Sequence, residues 1–171
     1  IRNKKFAVSP ITTHIDIKNV SKNLKSKIIT NKILTIYKFY RKLSKKIPKI
    51  GILGLNPHNA EMESNSEEKK IIIPSILSLK KRGINLIGPL VSDTLFIEDF
   101  KKYDVIVGMY HDQVLTPFKT IFKFDAINIT LGLKYIRVSP DHGTAKNLIK
   151  KNKASPLSLL RCVDFINKIN K

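Results

Sequence analysis

At 171 residues the chain is long enough for one compact domain and part of a second, and 42% hydrophobic residues exclude a chain disordered by composition. No run reaches the roughly 18 consecutive apolar residues that a membrane-crossing helix needs. The formal net charge of +19 raises a polyanionic partner, but the excess is almost all lysine scattered along the chain, and arginine is limited to Arg2, Arg41, Arg82, Arg137 and Arg161. Abundant Lys, Ile and Asn with no Trp and only 7 Gly fit an AT-rich codon bias, so the expectation is a solvated lysine face and no nucleic-acid partner.

In chain order, Phe6–Val8 reads as a short strand leading into Thr12-Thr13-His14. Thr30 is placed to cap a helix carrying Ile33, Leu34, Ile36, Tyr37, Tyr40 and Leu43 at helical spacing. Pro48 interrupts it, and Ile50–Leu55 follows as a buried strand ending in Asn56-Pro57-His58. Ser64 and Glu67 stand at capping-box spacing before a second helix, which Gly83 closes. Ile84–Ile87 and Asp104–Met109 are expected strands, separated by a helical turn around Ile97–Tyr103. Ile127–Leu131 and Tyr135–Val138 are two more, divided by Gly132. Ser155 caps a last helix with Leu157, Leu160, Val163, Ile166 and Ile169 on one face. Strands alternating with helices predict an α/β domain. The lone Cys162 has no internal disulfide partner, which fits a reducing, cytoplasmic location.

Three of the four histidines, His14, His58 and His111, fall just after expected strands, where α/β folds gather their reactive groups. Three imidazoles make a sound ligand set for a divalent ion, leaving positions open for substrate oxygen. Spacing alone leaves the alternative open. No HExxH or CxxC signature is present, and each histidine taken singly fits a hydrogen-bonded structural role.

Four strings decide the family resemblance: Gly54-Leu-Asn-Pro-His58, Met109-Tyr-His-Asp-Gln113, Asn128-Ile-Thr-Leu-Gly-Leu133 and Asp141-His-Gly-Thr-Ala145. In this order and spacing they resemble the 4-hydroxythreonine-4-phosphate dehydrogenase family. Thr12-Thr-His14 and the segment Gly88–Phe96 extend the likeness. The resemblance implies an isocitrate/isopropylmalate dehydrogenase-like fold, with residues 1–171 as the C-terminal portion of a longer chain. It also implies oxidation and decarboxylation of 4-phosphooxy-L-threonine to 3-amino-2-oxopropyl phosphate, on the route to pyridoxal 5'-phosphate. It assigns His14, His58 and His111 to a zinc, magnesium or cobalt ion, the last reaching across a homodimer. Lys119, Asn128 and Arg137 match the substrate-binding residues, and NAD or NADP is the implied cofactor.

Asp93 and Asp112 are candidates to orient a ligand histidine or hold the substrate amino group, with a capping or surface role open for Asp93. His142 lies in a loop similar to one that contacts adenine in β-hydroxyacid decarboxylating dehydrogenases. No GxGxxG is present, and this superfamily binds NAD without one. The chain departs from the family after His58, where Asn59–Asn65 lacks the usual glycines, so positive-φ positions are expected to be lost there. Three other functions stay open at this point. They are a relative acting on another four-carbon phosphorylated acid, a non-catalytic truncated remnant, and a basic nucleic-acid-binding protein. Without the N-terminal half, the chain alone is expected to show little dehydrogenase activity.

Overall fold

The computed structural model describes residues 1–144, 146–151 and 153–169, so Ala145, the last residue of the Asp141 motif, lies outside the described residues. Strand β1 (Ala7–Pro10) leads through a short turn of helix α1 (Val20–Asn23) to the long helix α2 (Ser26–Ser44). Strand β2 (Ile50–Leu53) follows, then helix α3 (Ile73–Lys81), opened by a five-residue π turn over Glu68–Ile72. Next come β3 (Leu86–Leu90), the one-turn α4 (Ser92–Leu95), β4 (Val105–Gly108) and α5 (His111–Phe122). The chain ends with β5 (Ile127–Thr130), β6 (Arg137–Pro140) and α6 (Leu157–Ile169).

Strands β1 to β4 form one wholly parallel sheet in the order β1-β4-β2-β3. Alternation along the strands separates two cores. Ala7, Ile50, Ile52, Val105 and Val107 pack on one face with Ile29, Ile33 and Ile36 of α2 and Ile76 and Leu79 of α3. Phe6, Val8, Leu53 and Ile106 pack on the other with Val114, Leu115 and Phe118 of α5. This is a three-layer α/β/α sandwich, as expected of parallel strands buried on both faces. Strands β5 and β6 make a separate antiparallel pair, with α6 beside them. Among the described residues no helix is long and apolar enough to cross a membrane.

Several sequence expectations need correction. Helix α2 begins at Ser26 rather than after Thr30, because Ile29 is fully buried and extends the apolar stripe a turn earlier. Ser66, not Ser64, caps the segment before α3: its Oγ accepts the Lys69 N–H at 3.3 Å, while Glu67 engages Ser21 and Asn56. Strand β6 starts at Arg137, two residues later than expected. Helix α5 has no counterpart among the sequence expectations; it runs on through Pro117 in its interior. Ser155 does cap α6, its Oγ accepting the Leu157 N–H at 3.3 Å. The helix, however, turns its small residues Ser158 and Cys162 inward and leaves Leu160, Val163 and Ile166 exposed.

Candidate functional site

All four sandwich strands run in the same direction, so their C-terminal ends share one edge. His14 follows β1, His111 follows β4, His58 follows β2 and Asp93 follows β3, so adjacent strand ends supply three histidines and a carboxylate. The rings of His14 and His111 lie 5.6 Å apart, centroid to centroid, at a cleft of about 190 Å³ also lined by Thr12, Tyr110 and Asp112. His58 has both ring nitrogens opposite carboxylates, Nδ1 at 3.4 Å from Glu61 and Nε2 at 3.5 Å from Asp93. Among the described residues no three His, Cys, Asp or Glu side chains close on a single point. The structure thus places His14 with His111, and His58 with Glu61 and Asp93, rather than forming one finished cage.

Asp93 does not cap α4; its Oδ1 accepts the N–H of the next residue, Thr94, at 2.8 Å, and its Oδ2 lies 3.5 Å from His58 Nε2. Asp112 holds Nδ1 of His111 at 2.6 Å, which leaves Nε2 as the outward nitrogen. His14 and His58 are exposed and His111 is partly buried.

The loop carrying His58 is unusual. His58, Asn59, Ala60, Glu61 and Met62 all have positive φ, from 45° to 58°, forming a left-handed turn without a single glycine. The expected loss of positive-φ positions therefore does not occur; the conformation persists in residues that disfavour it by roughly 1–2 kcal/mol each. What holds it is polar anchoring. Asn59 is buried and its Nδ2 donates to the Pro89 carbonyl at 3.2 Å, tying the turn to the end of β3. Upstream, the fully buried Glu68 accepts the N–H groups of Leu55 at 2.7 Å and Asn56 at 2.9 Å, and the Asn56 side-chain amide at 3.0 Å. Burial disfavours the Glu68 carboxylate, but the Asn56 backbone and side-chain hydrogen bonds and that of Leu55 outweigh it and hold its pKa below the usual value.

Lys119, Asn128 and Arg137 lie away from the histidines. Lys119 is two helical turns along α5 from His111, about 12 Å at the usual rise, and its ammonium pairs with the buried Asp141 at 3.3 Å. Asp141 Oδ2 is buried with no hydrogen-bond partner among the described residues. Asn128 and Arg137 share one face of the β5–β6 ribbon, where Thr130 pairs with Arg137 in register and its hydroxyl accepts from the guanidinium at 2.9 Å. His142 is exposed just beyond β6, with Nδ1 3.1 Å from the Gly143 carbonyl. Sequence reasoning missed Glu68, Asn59 and Gln113 as parts of the site. Glu68 reads as an ordinary first-turn acid, and nothing local marks an amide as buried.

The family model described as "Pyridoxal phosphate biosynthetic protein PdxA" matches residues 1–166. The chain belongs to the PdxA family. It is 45% identical over 171 residues to the 4-hydroxythreonine-4-phosphate dehydrogenase of Aquifex aeolicus, covering 97% of this chain and 53% of that protein. With the enzyme of the same name from Sulfurihydrogenibium sp. the identity is 44% over 164 residues, covering 95% and 51%. The crystal structure of 4-hydroxythreonine-4-phosphate dehydrogenase from Klebsiella pneumoniae superposes with a TM-score of 0.81 at 32% identity, covering 99% of this chain and 51% of that one. The chain thus spans about half the length of the PdxA relatives it matches.

Proposed function

We propose that this chain forms part of a metal-dependent 4-hydroxythreonine-4-phosphate dehydrogenase that uses NAD or NADP, with an isocitrate/isopropylmalate dehydrogenase-like fold. The observation that carries the reading is the placement of His14, His111, His58 and Asp93 at the ends of four adjacent parallel strands. The donor set suits zinc or cobalt well and magnesium less so, being rich in imidazole nitrogen, with carboxylates beside it. His14, His58 and His111 would hold the ion, and a bound ion supplies Lewis acidity toward the substrate hydroxyl.

The protein's own groups do the rest. Asp112 and Asp93 keep the His111 and His58 rings oriented. Lys119 and Arg137 clamp the phosphate and Asn128 orients a polar neighbour. A bound NAD or NADP would supply the hydride acceptor for oxidation of the substrate hydroxyl, and the β-keto acid so formed would lose carbon dioxide to give 3-amino-2-oxopropyl phosphate. His142 belongs with the cofactor's adenine end. The distance between His111 and Lys119 along α5 is consistent with a site shared between two copies in a homodimer, and the lone, free Cys162 with a cytoplasmic location. The lysine excess calls for no nucleic-acid partner.

Calorimetry with 4-phosphooxy-L-threonine in the presence of Zn²⁺ tests this directly. Binding is expected to weaken at least tenfold in Lys119→Ala and in Arg137→Ala. Equal affinity for wild type and both variants, or no preference over inorganic phosphate, would contradict it.

A further inference from the structure

The polar group that joins the histidine-bearing loops is Gln113, in the first turn of α5. Its side chain is buried, and both ends of its amide are used across different elements. Oε1 accepts the Met109 N–H at 2.6 Å, closing the turn between β4 and His111. Nε2 donates to the Gly54 carbonyl at 2.7 Å, at the start of the loop that leads to His58. The same Met109 supplies its carbonyl to Thr12, which donates to it from Oγ1 at 2.8 Å and from its backbone N–H at 3.1 Å, just before His14. One amide and one backbone residue thus connect the exits of β1, β4 and β2.

The surroundings are shaped for that amide. A Cβ on Gly108 would come within 2.9 Å of Gln113 Oε1 and 2.5 Å of Val114 Cγ1. A Cβ on Gly54 would fall 2.0 Å from Asn59 Oδ1 and 3.0 Å from Glu68 Oε1. Glycine at 108 lets that strand end approach the amide closely, and glycine at 54 leaves room for the Asn59 and Glu68 side chains beside the carbonyl that the amide meets. Glutamine is also the residue that fits electrically, because one end must accept an N–H and the other must donate to a carbonyl. Glutamate offers only acceptors when ionised, and a protonated acid loses its charge to recover the donor.

The geometry points to Gln113 as a positioning residue, which presets the places of His58 and His111 before any ion or substrate arrives. It touches neither ring and acts through the Met109 and Gly54 backbone. This rests on the proposed metal-binding role of the three histidines, and its test separates the two ideas.

The test compares wild type with Gln113→Glu and Gln113→Met, using Co²⁺ alone as probe and the imidazole NMR signals of metal-free protein as a second readout. Ile33→Val, a mildly destabilising change in the α2 core, controls for general loosening. Co²⁺ affinity is expected to fall at least tenfold in both Gln113 variants and to hold within twofold in Ile33→Val. In the metal-free variants the His58 and His111 signals should shift or broaden, while the signals of His142, which lies outside the network, stay in place. Unchanged His58 and His111 signals would overturn the positioning role, as would an equal loss of affinity in Ile33→Val. If wild type binds no Co²⁺ through its histidines, the metal reading fails, and the NMR signals alone decide the role of Gln113.

Discussion

The sandwich and the β5–β6–α6 lobe are built from similar residues but finished to different degrees. In the sandwich, Ile29, Ile33, Ile50, Ile52, Leu79 and Ile106 are all wholly enclosed, and each strand face meets a helix. In the lobe, Phe124, Tyr135, Leu160 and Val163 stand about half or more exposed, and α6 turns its apolar stripe outward. The difference shows that hydrophobic content does not by itself build a core. The sandwich has complementary layers on both sides of its sheet, while the lobe has an α6 stripe with no covering layer among the described residues.

The sharpest test of this contrast is truncation. Leu79→Ala in the sandwich should cost about 2–5 kcal/mol of unfolding free energy. Leu160→Lys in the lobe should change it by no more than about 0.5 kcal/mol. Urea unfolding followed by circular dichroism measures both, and a large cost for Leu160→Lys would show that the lobe has a core of its own.

The second test uses acid. Side-chain hydrogen bonds from Ser21 and Asn56 lower the pKa of Glu67, and Glu68 is lowered by its hydrogen bonds in spite of burial. Both carboxyls therefore bind fewer protons folded than unfolded. Their contribution is complete above the ordinary value of 4.5 and is lost as pH falls through their folded values. The loop of His58 should loosen as pH drops below that value, read as loss of amide protection at Leu55 and Asn56, and Glu68→Gln should flatten this dependence.

A smaller effect is expected at Ala60, whose φ of 49° sits in the middle of the left-handed turn. Ala60→Gly should stabilise the protein by up to about 1 kcal/mol, because glycine adopts that backbone without steric cost. A thermal melt that moves down instead would mean that packing of the Ala60 methyl outweighs the backbone relief.

Much of this was legible in the chain because the informative residues are rare or rigidly patterned. With four histidines in all, three just after apolar runs pointed to one edge of a parallel sheet, and the strands themselves were short uninterrupted apolar segments. Other features had no local mark. Helix α5 went unread, its burial coming from Val114, Leu115 and Phe118 against the sheet. Periodicity gave α6 an apolar face but not the surface it meets, and the inward residues Ser158 and Cys162 are small. The left-handed turn at His58–Met62 uses residues that argue against it, since its anchors, Asn59 on Pro89 and Glu68 on Leu55 and Asn56, reach across the fold. Gln113 bonds to Gly54, distant in sequence, which no short-range pattern reveals.

The central claim is that His14, His58 and His111 serve one divalent-metal function while His142 does not. Co²⁺ titration of the protein and its four single His→Ala variants measures it most directly. The account predicts a severe loss of affinity, at least tenfold, in His14→Ala, His58→Ala and His111→Ala, with His142→Ala binding as wild type. Equal affinities across all four variants would contradict it.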